Sequence, residues 1–323
     1  MADIYNIKSN TLVSGTSGND SIYNGGSDVT INAGAGDDTI YNEGYSVTID
    51  AGDGKDYIYN YYGSNVSING GDGNDLIEND GSNVSINAGA GDDSIDNRGS
   101  DVTITAGDGK DSIRNEGGSN VLIDSGAGND TIHNEKYWEN GKYVGADNVT
   151  INAGDGKDFI ENNSSSNVSI NAGAGDDSIY NAGNNASITG GEGDDDIWGF
   201  GTGAVYFYKL GDGNDRIAFG VFDTLVIEGA TYSTQKSGSD ILVTVGDNVI
   251  TLEEAANISE PSIVSTTANV VPVNFIDNEK ENVNVKGKST ANYINNSAGN
   301  VTITGGKGKD YVFNSGESVS VLT

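Results

Sequence analysis

One short pattern governs this chain: a Gly-Gly or Ala-Gly pair followed by x-Gly-x-Asp, returning at a nearly fixed interval. Its second glycine falls at Gly36, Gly54, Gly73, Gly91, Gly109, Gly128, Gly156, Gly175, Gly193 and Gly213, behind a degenerate first copy at Gly18. The steps are 18 to 20 residues, with a single step of 28. A period in this range marks a solenoid, in which each repeat buries its apolar face only by stacking on its neighbours. The unit at 33–50, AGAGDDTIYNEGYSVTID, holds a glycine turn, a short strand around Ile40, a second turn at Asn42-Glu43-Gly44 and a second strand at Val47-Thr48-Ile49.

Strand residues alternate with the period of two expected of a half-buried strand. Ile22, Ile40, Ile58, Ile77, Ile95, Ile113 and Ile132 keep register in the first strand, and pairs such as Val29/Ile31, Val47/Ile49 and Val84/Ile86 do so in the second. Two short strands and two turns per 18 residues describe one coil of an all-β parallel β-roll solenoid of about eleven coils, stacked about 4.8 Å apart. The 48 glycines punctuate almost the whole length and exclude a coiled coil or helical bundle.

The two edges of the coil differ in chemistry. On one, the residue four after the aspartate is asparagine nine times running: Asn24, Asn42, Asn60, Asn79, Asn97, Asn115, Asn134, Asn162 and Asn181. Asparagine tolerates the left-handed conformation of a sharp turn, and stacked carboxamides hydrogen-bond along the axis. This edge reads as a structural ladder.

The other edge carries one carboxylate per coil: Asp20, Asp38, Asp56, Asp75, Asp93, Asp111, Asp130, Asp158, Asp177, Asp195 and Asp215. Each turn after the first also brings the preceding glycines Gly34, Gly52, Gly71, Gly89, Gly107, Gly126, Gly154, Gly173, Gly191 and Gly211. Carboxylates stacked about 4.8 Å apart repel unless a counter-ion separates them. Hard oxygen ligands in a flexible turn suit Ca²⁺, whereas Mg²⁺ demands tighter octahedral geometry. The residue before the aspartate varies freely (Asp37, Lys55, Asn74, Lys110), so the fixed carboxylate is more than a turn cap. The expected metal ligands are therefore these aspartates and glycines. Eleven turns give at most about ten sites between them, and ten dications would bring the formal charge of −32 to about −12.

Composition removes other classes of function. There is no cysteine, hence no disulfide or Cys-based metal site, and the single histidine, His133, excludes zinc centres built on two or three histidines. A charge of −32 opposes nucleic acid and anionic membranes and favours cations. No apolar run approaches the ~18 residues of a transmembrane span. The start, MADIYNIKSN, has neither a basic nor an apolar region, so no Sec-type signal peptide is expected. No G-x-S-x-G or H-E-x-x-H motif occurs, and no repeat differs from the rest as a unique active site would.

Segments 33–41 (AGAGDDTIY) and 70–78 (GGDGNDLIE) closely match G-G-x-G-x-D-x-U-x, the Ca²⁺-binding β-helix repeat. Over residues 14–217 the chain resembles the RTX, or haemolysin-type calcium-binding, family. The resemblance implies a right-handed parallel β-roll, folding triggered by calcium, and type I secretion to the bacterial exterior or cell surface. The family's usual coil has two such turns; here the second edge is Asn-x-Gly-Ser without aspartate, which places the ion row on one edge.

The step of 28 holds an insertion, Lys136 to Val144, in which Asn140-Gly141 between aromatic runs predicts a hairpin with a type I′ turn. It reads as a decorative loop or, more sharply, as an aromatic contact for glycan or protein. Tyr23, Tyr41 and Tyr59 form an outward row that reads as a surface ladder, with His133 solvated in the same row. The division expected is 1–217 repeats, with aromatics from Trp198 to Phe222 crowding the last coil, 218–260 a β-rich cap, 261–283 a linker, and 284–323 a second, truncated array whose turn ends at Asp310. The function expected is a non-enzymatic calcium-binding module that stabilises or presents a further domain of the same polypeptide. The alternative is a surface or matrix adhesin that binds glycan or a surface protein through an outer row or the 136–144 hairpin.

Overall fold

The computed structural model describes residues 2–139, 141–258, 261–266, 274–278, 284–286, 292–296, 302–304, 311–314 and 320–322. They fall into two compact units, 1–225 with 233–262, and 226–232 with 263–323.

The first unit is a parallel β-solenoid. One sheet collects the short strand of every coil, from Asp3–Asn6, Ser21–Asn24 and Thr39–Asn42 through to Arg216–Ala218, twelve strands in chain order. The other collects the longer strand, from Thr11–Thr16, Val29–Ala35 and Val47–Asp53 through to Val205–Lys209. Register is strict: Ile22 pairs with Ile40 and Ile40 with Ile58, while Val29 pairs with Val47 and Ile31 with Ile49. Alternation turns these side chains inward, and Ile40, Val47, Ile49 and Ala51 are all buried. Each coil thus adds one rung to several continuous aliphatic ladders, which neighbouring coils shield above and below.

Stacking at the glycine edge leaves no room for side chains. A Cβ on Gly52 would lie 1.8 Å from the carbonyl oxygen of Gly34 in the coil before it, and one on Gly54 would lie 2.3 Å from that of Gly36. Both glycines also hold φ of +109° and +139°, a region L-residues rarely adopt.

The asparagine ladder is present, but not for the backbone reason expected. Asn42, Asn60 and their equivalents end the short strands and are not in the left-handed region. That conformation falls on the residue opening the second strand: Asp28, Ser46, Asn65, Asn83, Asp101 and Asn120, with φ of 56° to 60°. A strand residue pointing inward can present its carboxamide to the next coil, whereas the chain reverses only after the turn.

Two further features differ from the sequence reading. Asp3–Asn6 pairs in register with Ser21–Asn24, and Thr11–Thr16 with Val29–Gly34, so residues 3–16 form a coil ahead of the first glycine–aspartate turn. Of the aromatics near the last coil, Tyr206, Tyr208 and Phe219 turn inside, while Phe200 and Phe222 are exposed. Tyr206 takes the register place of Ile188, so a ring fills the end of the aliphatic ladder.

The insertion is a hairpin: Tyr137–Glu139 pairs antiparallel with Lys142–Val144, Trp138 facing Tyr143. Gly141 has φ of +83°, as the turn requires, and Asn140 lies outside the described residues. Beyond the coils, Ser233–Ser237, Asp240–Val245 and Asn248–Glu253 continue the first sheet, the last of them parallel to Arg216–Ala218 and the other two antiparallel.

In the second unit, Asn274–Asn278, Asn292–Asn296 and Tyr311–Asn314 form one parallel sheet, and Asn284–Lys286, Thr302–Thr304 and Ser320–Leu322 another. The stretch expected to be a linker, 261–283, thus contributes the strand Asn274–Asn278. Its Phe-Ile-x-Asn repeats the Tyr-Ile-x-Asn of Asn292–Asn296. Pro272 and the turn ending at Asp310 lie outside the described residues.

Candidate metal centre

The repeated aspartates form a single buried file. Asp38, Asp56, Asp75, Asp93, Asp111, Asp130, Asp158, Asp177 and Asp195 are each at most 2% exposed, and Asp20 and Asp215 only slightly more. The backbone amide of each aspartate from Asp20 to Asp195 donates to Oδ1 of the one in the following coil. Examples are Asp38 to Asp56 at 2.7 Å, Asp93 to Asp111 at 2.8 Å and Asp177 to Asp195 at 2.9 Å. The carboxylate therefore stands in for a main-chain carbonyl where the glycine turn runs into the short strand, and this fixes its rotamer.

Only one oxygen is used in this way. Oδ2 of the nine aspartates from Asp38 to Asp195 is buried without a hydrogen-bond partner. A native interior leaves very few such atoms, since burying a polar group unpaired costs about 1–3 kcal/mol and more if it is charged. Burial, reinforced by neighbouring carboxylates, pushes Asp56, Asp111 and Asp158 up to about 6, Asp93 and Asp177 to about 7 and Asp195 to about 8.

Asp20 is the exception that shows what satisfies the position. Its Oδ2 accepts from the Thr16 hydroxyl at 2.9 Å and from the Thr16 amide, and the Ala2 amide donates to its Oδ1. Burial pushes its carboxyl up, but the bonds from Thr16 and Ala2 outweigh that and hold it below the ordinary value. Thr16 occupies the register place of Gly34, and in later coils that place has no hydroxyl to offer.

A row of evenly spaced, half-satisfied carboxylates fits a cation. Among the described residues no three Asp, Glu, His or Cys side chains gather in one place, so a cation at the row would need main-chain oxygen to complete its shell. Such a donor set is all oxygen, as a hard dication prefers. On the other edge, among the described residues, the carboxamides are paired along the ladder and only the neutral Ser165 hydroxyl is buried without a partner. Asn42 Nδ2 donates to Asn60 Oδ1 at 2.8 Å and to the Gly44 carbonyl, while its Oδ1 accepts from the Gly44 amide. The same chain of carboxamides runs from Asn6 to Asn181, adding Asn6 to those expected.

Fold and file together define a parallel β-solenoid with an interior carboxylate row. The family model for the RTX calcium-binding nonapeptide repeat (4 copies) matches residues 14–44, 98–122, 117–134, 143–168, 164–188 and 287–316. Those segments of the chain carry RTX-type calcium-binding repeats, and the coils between the first two of them share the same register. Among solved structures, the extracellular lipase LipA from Serratia marcescens is 17% identical, with a TM-score of 0.24. The match covers 61% of this chain and 40% of that one. No curated protein matches.

The outer face of the short-strand sheet carries the tyrosine row, and His133 within it is paired rather than free, its Nδ1 2.8 Å from Glu161 Oε2. On the hairpin, Trp138 and Tyr143 are exposed and meet edge to face, while Tyr137 lies against Gly117 of an earlier coil.

Proposed function

We propose that this chain is a non-enzymatic calcium-binding repeat module of a secreted bacterial protein, which folds as calcium reaches it and stabilises or presents an attached domain. The observation that carries the reading is the unpartnered Oδ2 of nine successive buried aspartates. Without a cation these groups must either hold protons or sit charged and unpaired in the interior, and both weaken the coil at neutral pH. A bound dication supplies the opposite charge along the row; the nine aspartates from Asp38 to Asp195, with the glycine turns between them, would hold about eight, one per coil step. Because the unfolded chain has no preformed site, the binding free energy is folding free energy. RTX repeat proteins are typically secreted and their solenoids typically structural. Among the described residues no helix is long and apolar enough to cross a membrane.

Calcium added to chelated protein at pH 7.5 should convert a coil-like far-UV circular dichroism spectrum to a β spectrum, with magnesium much less effective. A fully β-structured protein in chelator at that pH would overturn the reading. A second reading, an adhesin, is favoured by the exposed Trp138 and Tyr143 at the tip of the hairpin. Binding to glycan or cells at fixed calcium, lost on Trp138→Ala, would support it.

A further inference from the structure

The outer face of the short-strand sheet changes chemistry along its length. One register position is Tyr5, Tyr23, Tyr41 and Tyr59 over four coils. The same position then becomes Glu78, Asp96 and Arg114 on an equivalent backbone, so the fold does not demand tyrosine there. Half of the chain's 16 tyrosines nevertheless fall within its first 62 residues.

These rings are joined to one another and to carboxylates. Tyr5 and Tyr23 stack at 4.7 Å, and Tyr41 meets Tyr57 and Tyr59 edge-on at 5.8 and 6.3 Å. Tyr23 donates its hydroxyl to Glu43 at 2.7 Å, Tyr57 to Glu78 at 3.1 Å and Tyr59 to Asp80 at 3.0 Å. Among the described residues no Lys or Arg ion-pairs with Glu43 or Glu78.

The next coils show what such a face accepts. Arg98 reaches Asp80, Asp96 and Glu116, and Arg114 reaches Glu116 and Glu135, so the face here carries its own guanidinium groups between carboxylates of successive coils. Beside the tyrosine stretch, Glu43 and Glu78 are bonded to tyrosine hydroxyls, and among the described residues no guanidinium or ammonium ion-pairs with them. A ring next to a carboxylate that lacks a cationic partner is the pairing that selects a guanidinium or ammonium group.

We propose that the tyrosine stretch of this face is a docking surface for a protein segment rich in arginine or lysine, which supplies in trans what Arg98 and Arg114 supply in cis. Charge complementarity fixes the occupant: a net charge of −32, still about −12 with ten dications bound, steers a basic segment toward the chain, whereas a neutral saccharide would cover Glu43 and Glu78 without compensating them. Tyrosine adds contact area at low entropic cost and dominates such surfaces elsewhere.

The test uses the calcium-loaded full chain and a fluorescent Arg-Gly repeat peptide, read by anisotropy at near-physiological salt. Tyr23→Ser, Tyr41→Ser and Tyr59→Ser combined leave the net charge unchanged and should weaken binding about tenfold or more. Glu43→Gln with Glu78→Gln should weaken it as well, and Asp101→Asn with Asp124→Asn, a matched charge loss away from the patch, should do so far less. Circular dichroism of each variant with calcium checks that the coils still form. Unchanged peptide affinity in the triple variant, equal losses in the two charge-matched pairs, or preference for a neutral oligosaccharide over the peptide would each overturn the proposal.

Discussion

The main-chain amide of Asp93 donates to Oδ1 of Asp111 at 2.8 Å, while Oδ2 of the same Asp111 carboxylate is buried with no partner. Half of each carboxylate in the row is thus structural, completing the hydrogen bonding between coils, and half is left for something else. This split makes the consequences of altering the row specific.

The calcium-free fold should be more stable in acid than at pH 8. Burial raises the folded-state values of Asp56, Asp111 and Asp158 to about 6, Asp93 and Asp177 to about 7 and Asp195 to about 8. In the unfolded chain these groups titrate near 3.9. The folded state therefore binds more protons between about pH 4 and 8, and its stability falls as pH rises through that window. In chelator, the urea midpoint should be highest near pH 4 and fall as pH rises, until no folded baseline remains by about pH 7.5. A midpoint that rises with pH over this range would contradict the buried row.

Asp93→Asn should separate the two halves of the carboxylate. The amide oxygen can still accept the Asp75 amide, but the charged oxygen is gone, so bound calcium should fall by one or two ions while the coils still stack. Asp20→Asn should leave the count unchanged, because Thr16 and Ala2 already occupy both oxygens of Asp20. Ion counting after dialysis checks both, and equal losses would mean that Asp20 also binds.

Asn97→Ala removes the acceptor for Asn79 Nδ2 and the donors to Asn115 Oδ1 and the Gly99 carbonyl. Leaving buried partners unsatisfied costs about 1–3 kcal/mol each, so the thermal midpoint in calcium should fall clearly. Calcium stoichiometry at saturation should not change. A lower stoichiometry would make the asparagine edge a metal site.

The glycine period, the inward isoleucines and both polar ladders were legible in the sequence because one residue type recurs at one register position. The coil at 3–16 was not, since Ala2 and Thr16 replace the aspartate and glycine that mark a turn, although Ile4 and Asn6 keep their places. The left-handed positions were assigned to the wrong asparagines, because Asn60 and Asn65 lie in one turn and only φ, 58° at Asn65, separates their roles. No periodicity could show that one carboxylate oxygen is used and the other orphaned. That depends on the direction of the bend, which brings each amide under the next carboxylate.

The hairpin should be separable from the roll. Trp138 and Tyr143 contact each other and are exposed, so Trp138→Ala should leave calcium-induced folding unchanged, with a change in midpoint within about 0.5 kcal/mol. Tyr137 lies against Gly117, so Tyr137→Ala should cost more than Trp138→Ala. Equal calcium-dependent melting curves for the two variants would contradict this assignment.

The central claim is that the interior aspartate row holds calcium between coils. Anomalous diffraction at long wavelength from crystals grown in calcium tests it most directly. The account predicts a straight file of peaks beside Asp38 through Asp195, about one per coil step, with none along the asparagine edge. Ordered coils with no peaks beside these carboxylates, or with peaks only on the outer faces, would contradict it.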